Sequence, residues 1–286
     1  MKKKAVLISL LLAVALSVVI SRLAPGRKPV KQEGGVNSGI ISLGPYVTEN
    51  LFLLGLEKNI VGLTIHDSAR RREGKEIIGT LIDPNIEKIV SLRPAIVIAS
   101  KEGNRPESIR EINRLGIKTL VLEELHSFED ICKNFQLLGD RLGAGRKAAE
   151  IIESRKLKLE RLRAGLKSKE KKKVFFILGF KPLFTTGGKT YINEIISFAG
   201  GINIFGGVDK KWFACSREEV IRRNPEFIIF TGMEKETVPV REMLHGIRPI
   251  RDSDIWEMDD TVIGSPTPDT FVDSVEILAW KLHGER

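Results

Sequence analysis

Gly187-Gly188-Lys189-Thr190 has the residue types that cradle a phosphate: two glycines for close backbone approach, an ammonium and a hydroxyl. A complete phosphate-binding loop needs a glycine five positions before its second glycine. That position holds Leu183, so the nucleotide reading fails. The stretch reads instead as a strand-to-helix turn with the helix N-terminus aimed at a cleft. The four histidines, His66, His126, His245 and His283, have no i,i+4 partner and no His-x-His pairing. No dedicated zinc or manganese site is therefore expected, and the metal set is empty. No nucleophile elbow, Cys-His pair or dinucleotide fingerprint is present, so the chain does not read as an enzyme and no catalytic residue is assigned. His66 directly follows an apolar run, where open α/β sheets place ligand contacts. It reads either as a structural loop histidine or as a ligand contact, axial to a chelated metal. Arg70, Arg71 and Arg72 form either a solvated loop or the rim of a pocket for an anionic chelate. Trp212, one of three tryptophans, stands in a lysine-rich loop with no hydrophobic run around it, which favours a contact surface over core.

The elements that must hold these residues are organised around one helix. Ala148, Ile152, Leu159, Leu162 and Leu166 fall on one seven-residue rhythm and make a single apolar stripe on a rod between Ala144 and Lys169. Arg155 interrupts the stripe, with a stem long enough to lie along apolar surface. Both flanks of the rod carry the same grammar of acidic short helix, proline and apolar strand. Glu87 to Pro94 precedes Ala95-Ile-Val-Ile-Ala99, and Glu218 to Pro225 precedes Glu226-Phe-Ile-Ile-Phe230, at an identical glutamate-to-proline offset. In the first lobe, strands alternating with helices imply a parallel, doubly flanked sheet. The expected fold is therefore α/β, with two Rossmann-like lobes joined by a single long backbone helix and a ligand cleft between them. The helix expected in the first lobe runs through Leu51 to Leu54 with Thr48 as its cap, and Gly179 to Gly188 is expected to be a long loop.

The boundaries follow. Residues 1–24 are a signal peptide or N-terminal membrane anchor: three lysines precede an apolar run from Ala5 to Ile20. No cysteine follows the run, which removes a lipid anchor. Residues 25–38 are a Pro-, Gly- and Lys-rich linker. The N-terminal α/β lobe spans 39–143, the bridging helix 144–172 and the C-terminal lobe 173–286. The net charge of +9 is diffuse, without the clustered basic face and aromatic support that nucleic-acid binding requires. Cys132 and Cys215 fall in different lobes and are expected to be free thiols.

Several segments together resemble the substrate-binding proteins of ABC importers for cobalamin, haem and ferric siderophores. They are Ile41-Ser-Leu-Gly-Pro-Tyr-Val-Thr-Glu49, Pro84-Asn-Ile-Glu-Lys-Ile89 with Leu92-Arg-Pro94, Phe184-Thr-Thr-Gly187, Gly200-Gly-Ile-Asn-Ile-Phe205 and Trp212-Phe-Ala-Cys-Ser-Arg-Glu218. The match runs from about Gly39 onward and is most similar to the cobalamin-binding branch. The resemblance implies an extracytoplasmic, periplasmic protein that captures a metal chelate, of corrinoid type, and delivers it to an ABC importer. Ferric-siderophore or haem binding is the alternative within the class. A membrane-tethered sensor without a permease is the alternative outside it. The resemblance also implies that Glu87 and Glu218 dock the permease, that Trp212 packs on the ligand and that Phe184 lies in the pocket. Tyr46, His66 and Arg70 complete the ligand-facing set as cleft loop positions. No cofactor beyond the bound ligand is expected, and the chain is expected to act as a monomer. Two departures leave the ligand open: Leu81 stands where cobalamin binders have a tryptophan, and Gly264-Ser-Pro-Thr-Pro-Asp269 lacks their charged contacts.

Overall fold

The computed structural model describes residues 39–231, 254–259 and 264–284. The leader, the linker, the helix expected at Val238 to Leu244 and most of the strand expected at Thr261 to Gly264 lie outside the described residues.

The first sheet contains β1 (Ile40–Ser42), β2 (Ile60–Leu63), β3 (Glu76–Ile77), β4 (Ile96–Ser100) and β5 (Thr119–Leu122) in the order β3-β2-β1-β4-β5, with every pair parallel. Strands covered on both faces are apolar throughout rather than alternating; accordingly Ile40, Ile41, Val97 and Ile98 are fully buried. The strand order reverses between β1 and β4, and the crevice at such a switch point is where open α/β sheets bind ligands. The connecting helices are α1 (Pro45–Leu53), α2 (Ala69–Arg72), α3 (Ile86–Ser91) and α4 (Pro106–Arg114), followed by α5 (Phe128–Arg141).

Helix α1 begins earlier than expected. Pro45 occupies its first turn, where a fixed φ and a missing N–H cost nothing, and Gly44 is the N-cap residue. Thr48 is therefore not a cap. It is fully buried inside the helix, its hydroxyl 2.8 Å from Ser42 Oγ and donating to Gly44 O at 3.3 Å.

The bridging helix α6 (Gly145–Gly165) has 21 residues, about 32 Å at 1.5 Å per residue. It stops short of Lys169, because Gly165 weakens the helix and the lysine-rich stretch beyond it offers little apolar surface to pack. Its stripe faces inward at Ala148 and Leu159. Arg155 does more than lie along the surface: its guanidinium donates to both oxygens of Asp269 at 2.6 and 2.9 Å. Lys158 adds a 2.8 Å contact to Glu276, so α6 is lashed to the last helix, α9 (Pro268–His283).

The second sheet holds β6 (Lys172–Phe180), β7 (Leu183–Thr186), β8 (Gly201–Asn203), β9 (Trp212–Ala214), β10 (Phe227–Thr231) and β11 (Ile255–Met258). Its order is β11-β10-β6-β7-β9, with β8 beside the start of β6. Helices α7 (Tyr191–Phe198) and α8 (Arg217–Arg223) connect its strands. Two expectations fail here. The segment expected as a loop after Gly179 contains a hairpin, with β7 antiparallel to β6. Trp212 lies not in a loop but at the start of edge strand β9, opposite Thr186.

Each lobe has a core cluster of its own, around Ile41, Val97 and Ile112 in the first and Phe175, Phe205 and Ile228 in the second, and a third cluster is shared between them. The shared cluster runs from Tyr46 and Leu51 on α1 through Phe128 and Phe135 on α5, Ala148 and Leu159 on α6, to Tyr191 and Ile195 on α7 and Phe271 on α9. Phe271 anchors it, with ring centroids 4.6 Å from Phe128 and 6.1 Å from Phe198. Helix packing thus reinforces the covalent bridge between the lobes.

Candidate functional site: the seam between the two strand-end edges

All five strands of the first sheet point their carboxyl ends the same way, so the turns after them share one edge. That edge carries Gly44, the Thr64–Ser68 turn, Leu81, the Ser100–Asn104 turn and the 123–127 segment. Asn104 ties it together, donating from Nδ2 to Leu43 O at 2.8 Å and to Leu81 O at 2.9 Å and accepting from Ser100 N at 2.8 Å. Leu81 lies over both Gly44 and Gly103; a Cβ at Gly103 would stand 2.5 Å from Leu81 Cδ2.

Lys211, immediately before Trp212, joins this edge to the second lobe. Its ammonium lies 2.6 Å from Glu102 Oε1 and 3.4 Å from Glu124 Oε2. Glu102 is fixed from behind by Leu125 N, which donates to Oε1 at 2.6 Å. Three further contacts cross the seam. His126 Nδ1 is 3.1 Å from Lys189 O, Phe128 N donates to Glu194 Oε2 at 2.5 Å, and Asn50 Nδ2 donates to Pro266 O at 3.3 Å. Burial holds the Glu194 carboxyl above the usual range, the Phe128 amide opposing it.

Tyr46 is not a loop residue. It is buried in the first turn of α1, and Asn134 Nδ2 donates to its phenol oxygen at 3.2 Å. Tyr191 opens α7 on the opposite lobe. Burial pushes both phenols well above the usual range, and the Glu102 charge pushes the same way. Neutral phenols on the two sides of the seam therefore flank one carboxylate.

Phe184 and Trp212 sit on adjacent strands. The register pairs Phe184 with Ala214 and Thr186 with Trp212, which puts both aromatic residues on one face as diagonal neighbours. Trp212 is half-buried against the shared core. Phe184 lines a pocket of about 540 Å³ with Leu178, Phe180, Lys181, Pro182 and Thr231, at the carboxyl ends of β6 and β10.

His66 is exposed in the turn after β2, and Arg70 is exposed on α2. The other two arginines of the trio separate from it. Arg71 forms a two-pronged contact to Glu49 at 2.9 and 2.7 Å and lies 3.8 Å over the Phe52 ring. It is a brace between α2 and α1; Arg72 is also half-buried, leaving Arg70 alone of the trio exposed. Beneath His66, Asp67 is buried and accepts from Thr64 N at 2.9 Å and Thr64 Oγ1 at 2.7 Å; burial holds its carboxyl above the usual range.

Glu87 and Glu218 are both exposed, each the second residue of a short helix. The amides of the first turn, its own foremost, and the Ser216 hydroxyl hold Glu218 below the usual carboxylate range. Each helix runs back against the strand it feeds, so its N-terminus stands at the carboxyl edge of its sheet.

Cys132 and Cys215 are free, and burial pushes their thiols up to about 12 and about 11. Among the described residues no three His, Cys, Asp or Glu side chains come together to hold a metal, and no helix is long and apolar enough to cross a membrane.

Sequence reasoning missed Glu102, Asn134, Tyr191 and Lys211. Each is an ordinary residue in its local sequence: Glu102 and Lys211 pair only when the two lobes meet, and Asn134 reaches Tyr46 only when α5 packs on α1.

Two α/β sheets whose strand ends meet across a seam, linked by one long helix, define a binding-protein architecture, and the chain belongs to the periplasmic binding protein family, which matches residues 40–267. Such proteins work on the extracytoplasmic side of the membrane and bind their substrates without transforming them. The chain is 28% identical over 253 residues to the uncharacterized ABC transporter substrate-binding lipoprotein YvrC of Bacillus subtilis, covering 85% of this chain and 79% of that protein. It is 26% identical over 268 residues to the vitamin B12-binding protein of Vibrio parahaemolyticus, covering 92% and 93%. Among solved structures, it matches the periplasmic vitamin B12 binding protein BtuF of Vibrio cholerae with a TM-score of 0.71 at 25% identity over 86% of this chain and 96% of that one. The periplasmic heme-binding protein RhuT of Roseiflexus shares the fold, with a TM-score of 0.76 at 22% identity over 86% of this chain and 98% of that one.

Proposed function

We propose that this chain is the extracytoplasmic substrate-binding component of an ABC importer, and that it captures a corrinoid-type metal chelate between its lobes. The observation that carries the reading is the contact of the two lobes at Lys211 and Glu102, beside the aromatic pair Phe184 and Trp212. A large, flat, partly apolar ligand suits aromatic faces on one side and oriented polar groups on the other. The shared core behind the seam limits hinge motion, so affinity rests on a largely pre-formed site with little entropy spent on closure. The Vibrio parahaemolyticus relative, named a vitamin B12-binding protein, supports the corrinoid over other chelates. In this reading Trp212 and Phe184 contact the ligand, Tyr46 contributes its buried phenol to the floor, and Glu87 and Glu218 meet basic groups of the permease. The boundaries 39–143, 144–172 and 173–286 serve as its two lobes and bridge, with residues 1–24 as leader or anchor.

A second reading, haem, rests on His66, an exposed imidazole at the strand-end edge with Arg70 nearby for propionate groups. The neutral, Asn134-bonded phenol of Tyr46 argues against tyrosine ligation of iron.

The test is native mass and visible absorbance of the purified chain with cyanocobalamin, haem and a ferric hydroxamate. A stoichiometric, unmodified complex with cyanocobalamin alone supports the reading. A Soret shift lost in His66→Ala moves the assignment to haem, and turnover of any of the three overturns a binding function.

A further inference from the structure

Helices α3 and α8 repeat one another at four positions: the cap, an exposed glutamate, a buried aliphatic residue and an exposed one. Asn85 and Ser216 cap them, accepting from Lys88 N at 2.8 Å and from Glu219 N at 3.1 Å. Glu87 and Glu218 follow, and one turn further on stand Val90 and Ile221. Residues three apart lie on the same side of a helix, so each carboxylate has an aliphatic side chain as its neighbour. The core-facing residues are Ile89 and Val220, both fully buried, whereas Val90 is 42% and Ile221 38% exposed. Both segments then turn through a left-handed residue, Arg93 at φ 46° and Asn224 at φ 50°, into Pro94 and Pro225.

The charges divide in the same way. Lys88 is bound to Glu76, and Glu219 to Arg222 and Arg223. Glu87 and Glu218 form no ion pair among the described residues. A single exposed aliphatic residue is ordinary. The same exposed aliphatic residue beside the same unpaired acid, at equivalent places in two lobes, is the pattern of one contact surface used twice.

We propose that Val90 and Ile221 are the apolar anchors of the permease-docking face, each seated in an apolar patch beside the basic group that its neighbouring glutamate meets, at two equivalent sites. The inference rests on the importer reading above and adds to it where the affinity resides. Exposed carboxylates steer the encounter and set register but hold little on their own. Burying an exposed valine or isoleucine strengthens an interface by about tenfold.

The experiment measures uptake of radiolabelled cyanocobalamin, at limiting concentration, by producing cells carrying the full chain; haem or the ferric hydroxamate replaces it if that is what the purified chain binds. Val90→Ser and Ile221→Ser are each expected to lower uptake by about tenfold, to similar extents, and the double variant further. Ligand affinity and melting temperature of the purified variants stay unchanged. Normal uptake by both serine variants, with loss in the Glu87→Lys/Glu218→Lys variant, overturns this inference and leaves the importer reading standing. A defect in only one serine variant overturns the two equivalent sites. Normal uptake in every variant, or no bound ligand at all, overturns the importer reading itself.

Discussion

Lys211 Nζ lies 2.6 Å from Glu102 Oε1, one residue before Trp212 on the second lobe and at the strand-end edge of the first. The Lys211 side chain is 19% exposed and that of Glu102 27%, so solvent screens the pair less than an ordinary surface contact. Glu102 also accepts from Leu125 N, which removes one source of slack. A double-mutant cycle with Lys211→Met and Glu102→Gln should give a coupling of about 1 kcal/mol in unfolding free energy. Lys211→Met should also speed ligand release severalfold in stopped-flow displacement, because one tie between the lobes is gone. Additive variants with unchanged release rates would show that the pair does not join the lobes in solution.

The diagonal placement of Phe184 and Trp212 predicts that each contributes apolar contact to the ligand. Truncation of a central aromatic contact typically costs about 1–3 kcal/mol. Trp212→Ala and Phe184→Ala should each weaken cyanocobalamin binding by roughly ten- to hundredfold, read by titration calorimetry. Trp212→Ala should in addition lower stability, since the indole packs against the shared core. Phe184→Ala, on the open pocket, should lower it less.

The outward glutamates predict a separation of functions. Reversing both Glu87 and Glu218 to lysine should abolish uptake while leaving ligand affinity intact, with only a small fall in melting temperature from the lost contacts of Glu218 with its own amide and the Ser216 hydroxyl. A stand-alone sensor would keep its activity in that variant. Retained uptake would remove the docking role from these two residues.

Asp67 predicts an unusual sign of pH dependence. Its carboxyl is held above the ordinary value of 3.8 by burial, against the opposing hydrogen bonds from Thr48 and Thr64. A group that holds its proton more tightly folded than unfolded contributes stability that is complete below its unfolded pKa and lost as pH rises through the folded one. As pH rises above the ordinary carboxylate range, Asp67 should therefore lower stability as it ionises, and Glu194 should act in the same direction. Asp67→Asn keeps an oxygen for the Thr64 donors and should flatten this part of the urea-unfolding profile. An unchanged profile in the variant would place the pH dependence elsewhere.

How much of this was legible in the sequence follows from whether a signal is local. The apolar runs of β1, β4, β6 and β10, the stripe on α6 and the echo from Glu87 to Pro94 and Glu218 to Pro225 are local patterns, and they gave the parallel first sheet, the bridge and the paired outer helices. The antiparallel hairpin after Gly179 was hidden because Lys181-Pro182 and the following glycines read as loop punctuation. Strand β11 was missed because Ile255-Trp-Glu-Met258 is short and mixed in polarity. Tyr46 was placed in a loop because Thr48 looked like a cap, whereas Pro45 sets the helix start. The segment Gly264 to Asp269 reads as lacking the charged ligand contacts of cobalamin binders, and its one acid, Asp269, is taken by Arg155. The seam itself was invisible: Glu102 and Lys211 are 109 residues apart, and no periodicity links them.

Hydrogen exchange of the full chain, with and without cyanocobalamin, tests the central claim most directly. If the ligand lies between the lobes, protection must rise on both strand-end edges together: in the 64–82 and 100–126 segments of the first lobe, and in 180–190 and 208–214 of the second. Protection confined to one lobe, or none at either edge with the ligand bound, would contradict it.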